Sequence, residues 1–242
     1  MLKPTASIED NHLHFEGVAA RPGTGWTRRG MLAASAAVIG ADWSGGMRLA
    51  FGQQPALRST NEQVLGPFYP VSLPADQDAD LTIIAGRDAR ALGQVLYVSG
   101  RVTNLRGEPV VDAELNIWQA NAAGRYTHPA DPNPKPIDAN FQGYAKIRTG
   151  ADGSYRIKTV KPGAYPVNSD WTRPPHIHFD VKGRTSRLVT QMYLEGEPLN
   201  DKDRLLQGAS RKEGLIAKYV PPSGQQEPDA LVGVWNIVLI SG

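Results

Sequence analysis

His176 and His178 are one residue apart in His176-Ile177-His178-Phe179-Asp180-Val181, a run that alternates polar and apolar groups. Residues two apart in a β-strand point to the same face, so the two imidazoles project together as a ready pair of metal ligands. Pro174 and Pro175 stiffen the approach to this strand and deny it backbone donors. Arg173, just ahead of them, supplies a permanent cation at the elbow. Beyond residue 52 the chain has three histidines, His128, His176 and His178, and it has no cysteine anywhere. Thiolate metal sites, iron–sulfur clusters, cysteine nucleophiles and disulfides are therefore excluded, leaving nitrogen and oxygen donors for a fairly hard metal.

Oxygen donors must complete such a shell, and the residues offer two sets. Asp180 follows His178 by two positions and shares its strand face, while Asp170 lies nearby, so a two-histidine, one-carboxylate ferrous site is one option. Tyr126 and Tyr165, each in a loop marked by glycine or proline, are the other. A phenol titrates near ~10 in water, but a trivalent cation favours the phenolate, and phenolate ligation in turn holds iron ferric. Spacing does not choose between these sets, and a loop tyrosine is also a normal packing residue. His128 is assigned no role.

The elements that must position these groups read as strands. The 242 residues are 40% hydrophobic and 21% charged, with 25 glycines and 19 prolines, a composition suited to a turn-dense β domain with a tail. The net charge of +2 and the absence of a Lys/Arg cluster give no sign of nucleic acid or an anionic membrane as partner. Residues 53–94 form an irregular arm containing Gly66-Pro67-Phe68-Tyr69-Pro70, and a catalytic β-sandwich domain is expected over 95–242. Its strands begin with Gln94–Thr103 and Ala113–Ala120, followed by a long loop from Asn121 to Asn140 that reads as functional. Tyr144–Thr149 and Ser154–Thr159 read as a hairpin around Asp152-Gly153. Arg187–Leu194 continues the sheet, Asp201–Lys218 holds a helical turn or two, and Leu231–Ile240 closes it.

Residues 1–52 read as a separate export signal and tail. Arg28-Arg29 precede the apolar run Met31–Ala41, the layout of a twin-arginine signal, which implies a periplasmic or exported protein. The run is shorter than the ~20 apolar residues a span requires, so no stable transmembrane anchor is expected.

Five ordered segments resemble the intradiol ring-cleavage dioxygenases, and among them the protocatechuate-cleaving members. They are Gly66–Pro70, Ile117–Asp131, Lys161–Pro166, Arg173–Phe179 and Gln191–Gly196, within about residues 60–240. The resemblance implies a mainly β fold, a prealbumin-like β-sandwich with long functional loops. It implies that Tyr126, Tyr165, His176 and His178 bind a mononuclear non-haem Fe(III), with water or hydroxide as fifth ligand. It further implies that Arg173 and Gln191 line the pocket, that Tyr165 leaves the metal and takes a proton when a dihydroxyaromatic binds, and that Arg173 stabilises developing negative charge. The implied reaction cleaves a catechol-type ring with O2 between the hydroxyl-bearing carbons, giving a cis,cis-muconate-type diacid without NADH, flavin or external reductant. Partners implied are O2, the aromatic substrate, and either further copies of the chain or an α-type second chain. Two departures from the family pattern, an extra Thr172 between Trp171 and Arg173 and a shorter stretch from His178 to Gln191, predict a reshaped pocket. Since one fold hosts many functions, a periplasmic β-sandwich binding module without chemistry is the alternative outside enzymes.

Overall fold

The computed structural model describes residues 57–242; the twin-arginine signal expected within 1–52 lies outside the described residues. Eleven strands follow in order: β1 (Val95–Thr103), β2 (Glu114–Trp118), β3 (Tyr144–Arg148), β4 (Ser154–Val160), β5 (Tyr165–Asn168), β6 (Trp171–Arg173), β7 (His176–Lys182), β8 (Arg187–Leu194), β9 (Ile216–Tyr219), β10 (Leu231–Val234) and β11 (Ile237–Val238). Strands β5 and β6 make a separate hairpin, and the other nine form one continuous sheet. One half runs β4-β1-β10, the other β3-β2-β7-β8, and β9 joins them by pairing antiparallel with β10 and parallel with β8.

The two halves close over a shared core. Leu96 and Val98 of β1 and Ile157 of β4 meet Leu115 and Ile117 of β2, Ile177, Phe179 and Val181 of β7, and Met192 and Leu194 of β8. Phe179 lies between them, with its ring centroid 6.0 Å from Tyr155 and 5.0 Å from Trp235. Complete burial of such a side chain contributes about 2–3 kcal/mol. The expected mainly β sandwich is thus the observed fold.

Two readings of strand pairing need correction. Tyr144–Arg148 and Ser154–Val160 are strands, and Gly150 N–H donates to the Ser154 carbonyl at 2.8 Å to close the turn. They are nevertheless not a hairpin: β3 pairs with β2 and β4 with β1, in different halves. Turn chemistry sets the reversal, but each strand then follows the partner that buries its own apolar face. The closing strand is also broken into β10 and β11, because Trp235 turns into the core and Asn236 Oδ1 accepts the Arg101 N–H at 2.9 Å.

Strand β7 is buried on both faces. Its odd-numbered residues enter the core, while His176, His178 and Asp180 face outward under the arm. The arm is sewn onto β8: Gln63 N–H donates to the Val189 carbonyl at 2.9 Å, and Thr190 Oγ1 donates to the Asn61 carbonyl at 2.8 Å. The helical turns expected before β9 occur as 3-10 turns at Pro198–Lys202 and Lys212–Leu215 and a short helix α1 (Arg204–Gln207). Among the described residues, no helix is long and apolar enough to cross a membrane.

Candidate metal centre

Register decides which side chains share the outer face of the β2-β7-β8 sheet. Trp118 lies opposite His178, His178 opposite Gln191, and His176 opposite Tyr193. Paired residues project on the same side, so one face carries both histidines with Trp118, Gln191 and Tyr193. Trp118 stacks on His178 with centroids 4.8 Å apart and an interplanar angle of 11°.

The two tyrosines arrive from outside this sheet. Tyr126 sits in the 121–140 loop, which folds around its own polar side chains. Asn121 Oδ1 accepts from Ala123 N–H at 2.9 Å and Arg125 N–H at 3.0 Å. Asp131 Oδ2 accepts the Tyr126 N–H at 2.7 Å and Oδ1 accepts the Asn133 N–H at 2.9 Å. Asp131, a matching residue without a role in the sequence reading, thereby anchors the backbone of Tyr126. Tyr165 opens β5 and lies opposite Arg173 on β6, so the small hairpin delivers a phenol and a guanidinium side by side.

Close approach of two glycines brings the tyrosine loops together. Gly124 has a φ of 83°, and a Cβ placed on it would lie 2.4 Å from the Ala164 carbonyl oxygen. A Cβ on Gly163 would lie 2.4 Å from the Gly124 nitrogen. Bare backbone at both positions is the condition for this contact.

The result is a closed ring of contacts. The Tyr165 hydroxyl is 3.5 Å from His176 Nε2, and the Tyr126 hydroxyl is 3.2 Å from His178 Nε2. Ring centroids are 5.5 Å apart for Tyr126 and Tyr165 and 5.0 Å apart for His176 and His178. All four side chains are buried, and Phe68 of the arm covers the tyrosines at 4.7 and 6.1 Å. The structure thus brings together Tyr126, Tyr165, His176 and His178.

Burial sets the charge state of each group. It pushes His176 well below its ordinary value and His178 down to about 3, with the Arg173 charge adding in the same direction, so both imidazoles are neutral. His176 Nδ1 lies 2.7 Å from the Pro174 carbonyl. A carbonyl only accepts, so Nδ1 carries the proton and the Nε2 lone pair faces Tyr165. Burial also raises the Tyr126 hydroxyl well above 10 and raises that of Tyr165, which Arg173 partly offsets. Neutral imidazole lone pairs and two phenols in a buried pocket can receive a hard cation, whose charge offsets the cost of phenol ionisation.

Arg173 is 4% exposed and fully engaged along one edge. Its Nε donates to Asp203 Oδ2 at 2.6 Å, and Nη2 donates to Gln191 Oε1 at 2.7 Å and to the Tyr193 oxygen at 2.8 Å. Gln191 Nε2 in turn donates to the Val64 carbonyl at 2.8 Å, so both ends of its amide are committed. Asp203, Tyr193 and Phe68 also belong to the site, although sequence pattern does not single them out. Asp203 announces itself only as the N-cap of α1, and Tyr193 only as a strand residue two after Gln191.

The carboxylate alternative does not assemble. Asp180 shares the face of His178 as expected, but its oxygens accept from Arg187 Nε at 2.7 Å and Nη2 at 3.1 Å. Asp170 is exposed at the β5–β6 turn. Among the described residues, no three or more His, Cys, Asp or Glu side chains are grouped to hold an ion. His128 is half-buried, with Nδ1 accepting from the Ala130 N–H at 3.1 Å and its ring 5.7 Å from Phe68.

Comparison with known proteins gives the family of the chain. The family model described as Dioxygenase matches residues 64–241. The chain belongs to the intradiol ring-cleavage dioxygenases. It is 42% identical over 180 residues to the protocatechuate 3,4-dioxygenase beta chain of Burkholderia cepacia, an alignment covering 72% of this chain and 76% of that one. It is 32% identical over 153 residues to catechol 1,2-dioxygenase 1 of Acinetobacter lwoffii, covering 57% of this chain and 46% of that protein. Among solved structures, the dioxygenase domain of a dioxygenase carbohydrate-binding protein fusion from Streptomyces sp. SirexAA-E superposes with a TM-score of 0.58 at 26% identity, over 76% of this chain and 100% of that one.

Proposed function

We propose that this intradiol dioxygenase is Fe(III)-dependent and opens a protocatechuate-like dihydroxyaromatic between its hydroxyl-bearing carbons, consuming O2 and yielding a cis,cis-muconate-type diacid. The observation that carries this reading is the closed ring of Tyr126, Tyr165, His176 and His178, with no carboxylate in it. Two neutral imidazoles and two phenols fit a mononuclear non-haem ferric ion, and these four residues would hold it. When bound, such an ion supplies Lewis acidity that keeps the substrate oxygens deprotonated and draws electron density from the ring toward reaction with O2.

The chain's own groups do the rest. Tyr165, at the open end of a two-stranded hairpin, would be a phenolate with the cation in place and would take up one substrate hydroxyl proton as substrate enters, becoming the neutral phenol. Tyr126 stays, tethered by Asp131. Arg173 supplies a fixed positive charge toward the negative charge that builds on the substrate, in a pocket where water does not screen it. Gln191 holds the Arg173 Nη2 in place. Phe68 and Tyr69 close the site against water.

The 42% identity to a protein named for protocatechuate supports that substrate class. The name beta chain supports assembly with an α-type second chain or with further copies, which size-exclusion of the purified chain distinguishes. Arg28-Arg29 ahead of the apolar run supports twin-arginine export to the periplasm. Replacing both with Lys is expected to leave the full-length chain in the cytoplasm.

The test is reconstitution of the purified chain with Fe(III), followed by visible spectroscopy and an oxygen electrode. Tyrosinate-to-iron charge transfer is expected to colour the protein, and Tyr126→Phe and Tyr165→Phe are each expected to weaken or shift that band, while Asp180→Asn leaves it in place. Protocatechuate, catechol and hydroxyquinol are assayed in parallel with the ring-opened products identified. A colourless reconstituted protein that consumes no O2 with any of them overturns the reading.

A further inference from the structure

Arg173 is a buried cation, and a buried cation needs a counter-charge in place. Asp203 provides it from 30 residues further on, beyond Gln191–Gly196, the last of the five resembling segments. Asp203 is completely buried, and both its oxygens are committed. Oδ2 accepts from Arg173 Nε at 2.6 Å, while Oδ1 accepts the Leu206 N–H at 2.8 Å, capping α1. The Tyr193 hydroxyl lies 3.2 Å from Asp203 Oδ1 and accepts from Arg173 Nη2 at 2.8 Å. Having one proton to give, it donates to the charged acceptor in preference to the amide oxygens of Gln191 at 3.3 Å and Gln63 at 3.4 Å.

Arg173 sits on a two-stranded hairpin that pairs only with itself, β5 with β6. Backbone pairing therefore does not attach its guanidinium to the sheet that carries His176 and His178. The attachment is made by side chains: Gln191 and Tyr193 from β8, and Asp203 from the helical segment. We infer that Asp203, with Tyr193 as its relay, is a positioning residue for ring cleavage, holding the guanidinium edge at the distance from the ring of tyrosines and histidines that the reaction uses. This rests on the reading of Arg173 as the group that faces the substrate. A plain helix cap would need neither the Nε contact nor the Tyr193 hydroxyl.

The experiment is a double-mutant cycle in the iron-loaded full chain with Asp203→Asn, Arg173→Lys and both together. Turnover of protocatechuate is measured, and binding is followed anaerobically through the shift of the visible band. Asp203→Asn is expected to keep the iron content and the band of the unliganded protein while kcat falls about a hundredfold, the scale of a positioned group displaced by about 1 Å. In the Arg173→Lys background the same change is expected to cost less than about threefold, because the group it positions is already altered. Wild-type turnover in Asp203→Asn, or losses that multiply in the double variant, overturns the inference. Wild-type turnover and binding in Arg173→Lys alone instead overturns the reading of Arg173 on which it rests. Should Asp203→Asn not fold, Tyr193→Phe keeps the helix cap. It is expected to lose about tenfold in kcat only while Arg173 is present, and a loss that persists in Arg173→Lys overturns the inference.

Discussion

Gly124→Ala tests whether the close approach of two loops assembles the site. The added Cβ would stand 2.4 Å from the Ala164 carbonyl oxygen and 3.0 Å from its carbon, both backbone atoms that cannot rotate away. Restoring ordinary contact requires the Tyr126 loop and the Tyr165 loop to part by about 1 Å. Gly124 also has a φ of 83°, where an L side chain costs roughly 1–2 kcal/mol. Overpacking adds about 1–3 kcal/mol, so a total destabilisation of roughly 2–5 kcal/mol is expected. The same parting pulls the phenol oxygens from the imidazoles they face, and about 1 Å of misplacement is enough for roughly a hundredfold loss of turnover. Gly214→Ala is the control, since a Cβ there meets nothing within 4 Å. Thermal unfolding, iron content and the visible band are measured for both variants. Gly124→Ala with wild-type iron content, band and turnover would refute the argument that these glycines set the spacing of the tyrosines.

Asp131→Ala strips the acceptor from the Tyr126 and Asn133 N–H groups, and leaving two buried donors unpaired is expected to cost about 2–4 kcal/mol. Thermal unfolding checks this, and an unchanged Tm would show that the loop is held by other means. Glu114 faces Arg148 on β3 and Lys182 on β7, with Lys146 Nζ at 3.1 Å and Lys182 Nζ at 3.4 Å. Burial raises its carboxyl pKa, but hydrogen bonds from Asn116, Lys146 and Lys182 outweigh this and hold it at about 2 instead of 4.5. The folded value is the lower one, so its stabilisation is complete above pH 4.5 and is lost as the pH falls toward 2. Half-exposed lysines are screened, so about 1 kcal/mol is expected from the group. Glu114→Gln should therefore be about 1 kcal/mol less stable at pH 7 and show a shallower acid limb by denaturant unfolding, and a limb as steep as wild type would refute it.

Much of the fold and part of the site are legible in the residues because they depend on local rules. Period-two alternation placed His176 and His178 on one strand face and Ile177, Phe179 and Val181 on the other, and the absence of cysteine limited the donors to nitrogen and oxygen. Asp152-Gly153 marked a real turn, yet the strands it joins part into different halves, since a turn reports only its own backbone while pairing follows distant apolar faces. The choice between Asp180 and the tyrosines was likewise hidden. Strand geometry put Asp180 on the correct face, but Arg187 on the neighbouring strand had already claimed it.

Residue type and spacing thus determined the histidine pair, the strands that carry the core, and the segments that identify the family. Tertiary structure alone decided that Gly124 meets Gly163 to bring Tyr126 beside Tyr165, and that Asp203 and Tyr193 grip Arg173. Those contacts join parts of the chain tens of residues apart, and their distances are set by how the layers and loops pack, which no local periodicity encodes.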